Sequence, residues 1–193
     1  MKKQISLSQS VLWVALVTAV ILFIPLMAMQ FTNEVNWSAG DFVIMGILVF
    51  TTGFSYVLLI RSSSNIIYRA AVALGIGSTF LLIWANLAVG LIGSGANAAN
   101  LMYAGIVAIV IIGTFLSRLT AKGMERVMFT AAITLIIFAI IQLLTKMYEY
   151  SGSSVIEIIG VNGFFATLFA VAGLLFRYIN LKYSSNTNKT AEQ

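Results

Sequence analysis

The sequence predicts an all-α integral membrane bundle of six transmembrane helices with both termini in the cytoplasm. Three observations lead to this fold class. Of the 193 residues, 60% are hydrophobic and only 9% are charged, whereas a soluble domain carries about 25% charged residues. Six uncharged apolar stretches reach the length of about 20 residues that crosses a hydrocarbon core of about 30 Å. The basic residues fall on alternate connections between these stretches.

The first three spans occupy the N-terminal half. Span 11–30 follows Lys2 and Lys3, but it is longer than the roughly 7–15 apolar residues of a signal peptide and lacks a small-residue cleavage site. We therefore predict a retained helix. The second and third spans, 42–60 and 70–93, carry no charge. One stripe of the third predicts a packing face made of small and polar residues, namely Gly75, Ser78, Thr79, Asn86, Gly90 and Gly93.

The last three spans fill the C-terminal half. The fourth runs from near Asn100 to Ser117, the fifth covers 127–145, and the sixth starts between Ser154 and Val161 and ends near Arg177. Two further stripes predict interior faces, namely Thr130, Thr134, Gln142 and Thr145 on the fifth span and Gly163, Ala166, Thr167, Ala170 and Gly173 on the sixth. Residues 1–180 are thus expected to form a single six-helix transmembrane domain, and the polar residues 181–193 a disordered cytoplasmic tail.

The orientation follows from the distribution of charge. If six helices alternate, ten of the eleven basic residues lie on the side that holds both termini. Because cytoplasmic connections are enriched in Lys and Arg, this side is the cytoplasm. The outer side receives Lys146 with four carboxylates, namely Glu34, Asp41, Glu149 and Glu157. The net charge of +5 is thereby explained by topology, so no nucleic-acid partner is expected.

Several functional classes are disfavoured by what the chain lacks. It contains no Cys and no His, which removes thiolate nucleophiles, disulfides, and the usual haem and zinc ligands. We therefore expect no cofactor and no metal site, and we expect that the protein is not an enzyme. No charged residue lies deep inside a span, which disfavours proton pumps and ion-coupled antiporters.

The remaining polar residues allow two interpretations. Asn86 and Gln142 lie in apolar spans, where an amide requires a hydrogen-bond partner, either from another helix or from a ligand. Asp41 and Glu157 follow a serine at the spacing of a capping box; the alternative is a ring of carboxylates that attracts cations to an outer vestibule. Glu34 has no such local explanation.

One stretch carries a family resemblance. The sequence WANLAVGLIGS at 84–94 leads to Asn97, Asn100 and Tyr103, and the segment NEVNW at 33–37 precedes Asp41. Together these motifs resemble a family of small bacterial inner-membrane proteins that is itself uncharacterised, and the resemblance extends over residues 10–145. It implies a multi-pass protein of the bacterial inner (cytoplasmic) membrane and adds no mechanism.

The same hairpin also allows two interpretations that do not depend on the family resemblance. In one interpretation, Asn97 caps the fourth helix, while Trp37, Trp84 and Tyr103 belong to an interfacial aromatic belt. In the other, six residues surround an outward-facing polar pocket that binds a ligand, namely Glu34, Trp37, Asn86, Asn97, Asn100 and Tyr103.

Two functional hypotheses follow from these interpretations. The first is a non-enzymatic membrane subunit or scaffold that stabilises a complex or binds lipid or a small hydrophobic ligand between its helices. The alternative is a small facilitator or channel component for a neutral or cationic solute. The expected partners are the lipid bilayer and either a second copy of the chain or another protein of a membrane complex.

Overall fold

The computed structural model describes residues 6–61, 63–93, 95 and 97–191, with 183–191 described by their backbone alone. Over these residues the chain is all-helical, and six helices are long and apolar enough to cross a membrane. The helices are α1 (Leu7–Phe31), α2 (Ala39–Ile60), α3 (Ile66–Ala88), α4 (Met102–Leu116), α5 (Ala121–Leu144) and α6 (Val155–Ala191). Short 3-10 turns at Ala98–Leu101 and Met147–Glu149 precede α4 and α6. The predicted fold class is confirmed.

The helices fall into two compact units. The first unit, Met1–Arg61, contains α1 and α2, and the second unit, Ser62–Gln193, contains α3 to α6. The single six-helix domain over residues 1–180 stays a prediction, as does the placement of both termini in the cytoplasm.

The first unit is a helical hairpin built on two glycines of α2. A Cβ atom on Gly53 would lie 3.0 Å from Cγ1 of Val14, and one on Gly46 would lie 3.3 Å from Cδ1 of Leu22. The two helices therefore approach closely where α2 has no side chain. Only Thr18 is buried in α1, and no residue is buried in α2. So large an apolar surface is compatible with lipid as the surrounding solvent.

The predicted helix caps are present. Ser38 Oγ accepts the N–H of Asp41 at 3.3 Å, and Asp41 Oδ2 accepts the N–H of Ser38 at 2.7 Å, which completes a capping box at the start of α2. At the start of α6, Ser154 Oγ accepts the N–H of Glu157 at 3.1 Å. These carboxylates therefore lie where sequence spacing placed them, beside the first turns of their helices.

The second unit is a four-helix bundle around α5 and α6. These two helices pack along each other, α3 packs against α6, and α4 packs against α5. The interior is filled by large side chains with almost no exposed surface, namely Leu82, Tyr103, Ile106, Leu135, Phe169 and Phe176. Ala131 and Ala172 are also fully buried, and their small size lets helix backbones come close.

At each end of this bundle, side-chain contacts join separate segments of the chain. At one end, the hydroxyl of Tyr68 on α3 donates to the carbonyl of Leu119 between α4 and α5, at 2.9 Å. The Tyr68 ring also meets the ring of Phe176 on α6, with centroids 5.4 Å apart. At the other end, the N–H of Gly93 donates to Oγ of Ser153 at 2.7 Å, which joins the α3–α4 loop to the α5–α6 loop. We call the end with Tyr68, Leu119 and Phe176 the basic end, and the end with Gly93 and Ser153 the loop end.

The end of α3 differs from the prediction. The helix stops at Ala88 and not at Gly93. Gly90 and Gly93 have φ values of 74° and 70°, a left-handed conformation that cannot continue a right-handed helix. These two glycines therefore shape a loop instead of extending the packing stripe, whereas Gly75 and Ser78 of that stripe are buried as predicted.

The inward face of α6 is also displaced from the predicted stripe. Gly163 and Thr167 are exposed, and the buried face consists of Ile158, Asn162, Phe165, Ala166, Phe169, Ala172, Gly173, Phe176 and Ile179. Phenylalanine rings share this interior with the small residues Ala166, Ala172 and Gly173, so both large and small side chains form the inward face. On α5, Gln142 is buried but Thr130 is exposed. The helical backbone of α6 continues to Ala191, past the predicted end near Arg177.

Candidate functional site

Among the described residues of the second unit, three deeply buried polar side chains form a ring, which we call the polar ring. Tyr103 comes from the first turn of α4, Gln142 from the last turn of α5, and Asn162 from the second turn of α6. Their exposed fractions are 1%, 0% and 1%. Three helices thus each contribute one polar side chain to a single point in an apolar interior.

The hydrogen bonds of the polar ring run in one direction. The Tyr103 hydroxyl donates to Oδ1 of Asn162 at 3.3 Å, Nδ2 of Asn162 donates to Oε1 of Gln142 at 3.0 Å, and Nε2 of Gln142 donates to the Tyr103 hydroxyl at 3.2 Å. Each group therefore both gives and receives one bond within the ring. A closed arrangement of this kind satisfies polar atoms that would otherwise be costly to bury.

Two further contacts fix that direction. Nδ2 of Asn162 also donates to the carbonyl of Ile158 at 2.8 Å, and Nε2 of Gln142 also contacts Sδ of Met102 at 3.4 Å. Turning either amide over would place an oxygen against these acceptors, so the assignment of oxygen and nitrogen is determined by the network. Every N–H and O–H of the three side chains has an acceptor; four of these five bonds join different helices, and the bond to the carbonyl of Ile158 lies within α6.

A second polar group organises the α3–α4 loop around Asn100. Its Oδ1 accepts the N–H groups of Leu91 and Ile92 at 2.9 and 2.8 Å, and its Nδ2 donates to the carbonyl of Ile92 at 3.2 Å. One buried side chain thereby replaces the backbone partners that a loop lacks. Gly90 is required beside it, because a Cβ atom there would lie 2.6 Å from the carbonyl oxygen of Gly95.

Asn86 contributes the single buried side-chain oxygen or nitrogen without a hydrogen-bond partner in the described part of the chain. Its Nδ2 donates to the backbone carbonyl of Asn100 at 3.2 Å, which orients the amide, while its Oδ1 is buried and accepts no bond. A buried acceptor of this kind is available to an additional donor.

The structure assigns the six residues of the predicted pocket to different surroundings. Asn86 and Asn100 meet through the bond just described, and Asn97 caps the 3-10 turn before α4 by accepting the N–H of Ala99 at 2.9 Å. Tyr103 faces the polar ring. Glu34 is exposed in the first unit, where the rings of Trp37 and Phe42 form a T-shaped contact with centroids 5.2 Å apart. A ligand-binding role for this set stays a prediction.

Sequence reasoning missed Asn162. The residue lay close to the predicted start of the sixth span, where an amide is unremarkable because water is near. The available signal was its spacing, since Asn162 shares a helical face with Ile158, Phe165 and Phe169, whose large apolar side chains indicate an interior position. Over the described residues, no three His, Cys, Asp or Glu side chains form a group that could hold a metal ion.

Comparison with known proteins yields no match: no protein-family model, no curated protein and no solved structure is similar to this chain. The class that the fold defines is an all-α, multi-pass membrane protein with six candidate membrane spans. The resemblance to the bacterial inner-membrane family stays a prediction.

Proposed function

We propose that this chain is a non-enzymatic subunit or scaffold of the bacterial inner membrane, oriented with both termini in the cytoplasm. In this role α3 to α6 form a rigid core, and the α1–α2 hairpin provides the surface on which a membrane complex assembles. Lipid or a small hydrophobic ligand occupies the grooves between helices.

The polar ring is the observation that carries the proposal. Tyr103, Gln142 and Asn162 are the polar side chains with the least exposure to solvent in the second unit apart from Ser78, and all their donors are used within the protein. Side chains that bind a passing solute or a substrate must exchange partners during the cycle. A closed and directionally fixed ring supports a structural role instead.

The exposed apolar surface of the first unit supports a role in the assembly of a membrane complex. Large apolar side chains are exposed along α1, for example Leu16 at 55% and Val20 at 61%, and the same helix buries only Thr18. In lipid such a face is covered either by acyl chains or by another membrane helix that packs on it through van der Waals contacts. The proposal assigns this face of the hairpin to another membrane helix.

Co-purification tests this proposal directly. The full-length protein, extracted with its surrounding lipid in polymer discs and analysed by mass spectrometry, is expected to retain a protein partner, a second copy or a bound hydrophobic molecule. The double variant Leu16→Ala/Val20→Ala is expected to lose a protein partner. Its matched control is Leu174→Ala/Tyr178→Ala, which removes two side chains that are also exposed on one helix, each at 53%. Wild-type protein that carries no other protein, no second copy and no hydrophobic molecule enriched over the bulk lipid of the disc contradicts the proposal.

A second candidate function rests on the free acceptor of Asn86. A small facilitator or channel component for a neutral or cationic solute needs buried oxygen atoms that can receive a donor, and Oδ1 of Asn86 is one. Swelling of proteoliposomes in glycerol, urea and ammonium chloride tests this alternative. If the wild type accelerates swelling and Asn86→Leu abolishes the acceleration at equal incorporation, the facilitator replaces the scaffold as the better assignment.

A further inference from the structure

The basic end of the second unit gathers six cationic side chains, which we call the basic rim. They come from α3, the α4–α5 turn, α5 and α6, namely Arg69, Arg118, Lys122, Arg126, Arg177 and Lys182. Five of them are exposed, and Arg69 is half-buried. Among the described side chains at this end, Glu125 is the acidic one, so the rim has a large excess of positive charge.

Packing, and not chain proximity alone, brings three of these residues together. Tyr68 donates to the carbonyl of Leu119 at 2.9 Å, and its ring contacts Phe176 with centroids 5.4 Å apart. Arg69, Arg118 and Arg177 are the immediate chain neighbours of these three residues. One buried tyrosine therefore links three separate segments that each carry an arginine.

The α4–α5 turn holds Arg118 in an unusual backbone conformation. Arg118 and Leu119 have φ values of 48° and 58°, a region that residues other than glycine rarely occupy. The turn is secured by the N–H of Leu119, which donates to Oγ of Ser117 at 3.2 Å, and by the Thr120 hydroxyl, which donates to the carbonyl of Ser117 at 2.8 Å. Strain that is retained in this way favours a functional reason for the placement of the side chain.

Exposed apolar residues lie directly beside the cations. Phe115 and Leu116 end α4 just before Arg118 and are 79% and 78% exposed, and Ile66 in the first turn of α3 is 75% exposed. A surface on which apolar side chains adjoin guanidinium and ammonium groups matches the boundary between acyl chains and phosphates. An acidic soluble protein would leave those apolar side chains in water.

We propose that the basic rim binds the phosphate headgroups of anionic phospholipids in the leaflet at the basic end. Arg118 and Lys122 contact the phosphates, while Phe115 and Leu116 contact the upper acyl chains. The attraction is electrostatic and acts on each cation near the membrane surface. This inference concerns a different surface from the assembly proposal and does not depend on it.

Native mass spectrometry of the full-length protein tests the proposal. From micelles that contain equal amounts of phosphatidylglycerol and phosphatidylcholine, the wild type is expected to retain phosphatidylglycerol preferentially. The double variant Arg118→Gly/Lys122→Gln is expected to lower that preference by about fivefold for each charge removed. The matched control is Lys146→Gln, which removes an exposed cation at the loop end and is expected to leave the preference unchanged.

Two single variants distinguish a loss of charge from a loss of folding. Glycine adopts a φ of 48° without a Cβ clash, so Arg118→Gly is expected to unfold at the same temperature as the wild type or higher in phosphatidylcholine alone. Arg118→Lys keeps the charge and is expected to keep most of the preference. The proposal is overturned if the double variant and Lys146→Gln retain the two lipids in the same ratio. It is equally overturned if millimolar inorganic phosphate displaces the bound phosphatidylglycerol, because the site would then serve a free anion.

Discussion

At the scale of single residues, the hydroxyl of Tyr103 forms hydrogen bonds to two neighbouring helices. It accepts a hydrogen bond from Gln142 on α5 and donates one to Asn162 on α6. If the hydroxyl is removed, Oδ1 of Asn162 loses the one donor described for it, and one of the two N–H groups of Gln142 loses its acceptor. Interhelical hydrogen bonds in membranes contribute about 0.6–1.7 kcal/mol each.

Tyr103→Phe is therefore expected to lower the free energy of unfolding by about 1–2 kcal/mol. The measurement is a titration with sodium dodecyl sulfate in mixed micelles, followed by helical circular dichroism. Tyr178→Phe makes the same chemical change at a residue that is 53% exposed and is expected to alter stability little. Equal losses in the two variants would show that the polar ring adds nothing to stability.

The sequence indicated which amides needed partners but not which partners they would find. Asn86 and Gln142 stood out because each interrupts an apolar span. Their partners, the carbonyl of Asn100 and the side chains of Tyr103 and Asn162, depend on the rotation of neighbouring helices. Helix rotation is set by packing between side chains that lie far apart in sequence. This packing cannot be predicted from the residue pattern of a single sequence.

At the scale of helices, the contact between α4 and α5 depends on a missing side chain. A Cβ atom on Gly113 would lie 2.7 Å from Cγ2 and 2.9 Å from Cγ1 of Val127. A side chain here would push the helices apart or force Val127 from its position. A Cβ atom on Gly105 of the same helix would meet Cζ of Phe138 at 3.6 Å, an ordinary contact.

Gly113→Ala is expected to destabilise the protein by about 1–3 kcal/mol through overpacking. Gly105→Ala is expected to be neutral or mildly stabilising, since alanine favours the helix over glycine. Thermal unfolding of the purified proteins in the same detergent compares the two. Gly113→Ala/Val127→Ala should recover part of the loss because the second change restores room, and a double variant no better than the single one would argue against steric conflict.

Helix positions were more predictable than helix faces. All six spans appear near their predicted places because a charge or a polar loop bounds each apolar run. The end of α3 was misplaced because a glycine that closes a helix contact and a glycine that turns a loop look alike in sequence. Only the fold distinguishes Gly75 from Gly90, whose φ of 74° excludes the helical conformation.

At the scale of the whole molecule, composition fixes the class of protein, and the distribution of charge predicts its orientation. In the second unit, cations collect at the basic end, whereas the loop end holds Lys146 with Glu149 and Glu157. The positive-inside rule therefore gives one expected orientation for the bundle. The division of the chain into two compact units was not visible in the hydropathy pattern, because linkers within and between units have similar lengths.

Single cysteines test the orientation, since the chain contains none of its own. Cysteine in place of Ser38 or Ser151, both exposed, is expected to react with an impermeant maleimide in intact cells. Cysteine in place of Ser64 or Lys122, also exposed, is expected to react only after permeabilisation. Labelling of Lys122→Cys in intact cells would indicate the opposite orientation. Labelling of all four positions would show that the molecules are not all inserted in one orientation.

The polar ring also imposes an order on biogenesis. A chain made from its N-terminus delivers Tyr103 first, then Gln142, and Asn162 last. Until α6 enters the membrane, the bond between Gln142 and Tyr103 can form, but Oε1 of Gln142 has no donor from Asn162. An unfinished protein thus exposes an unsatisfied oxygen to lipid, and insertion of the final helix removes it. The two bonds that Asn162 makes within the ring therefore form only after α6 is inserted.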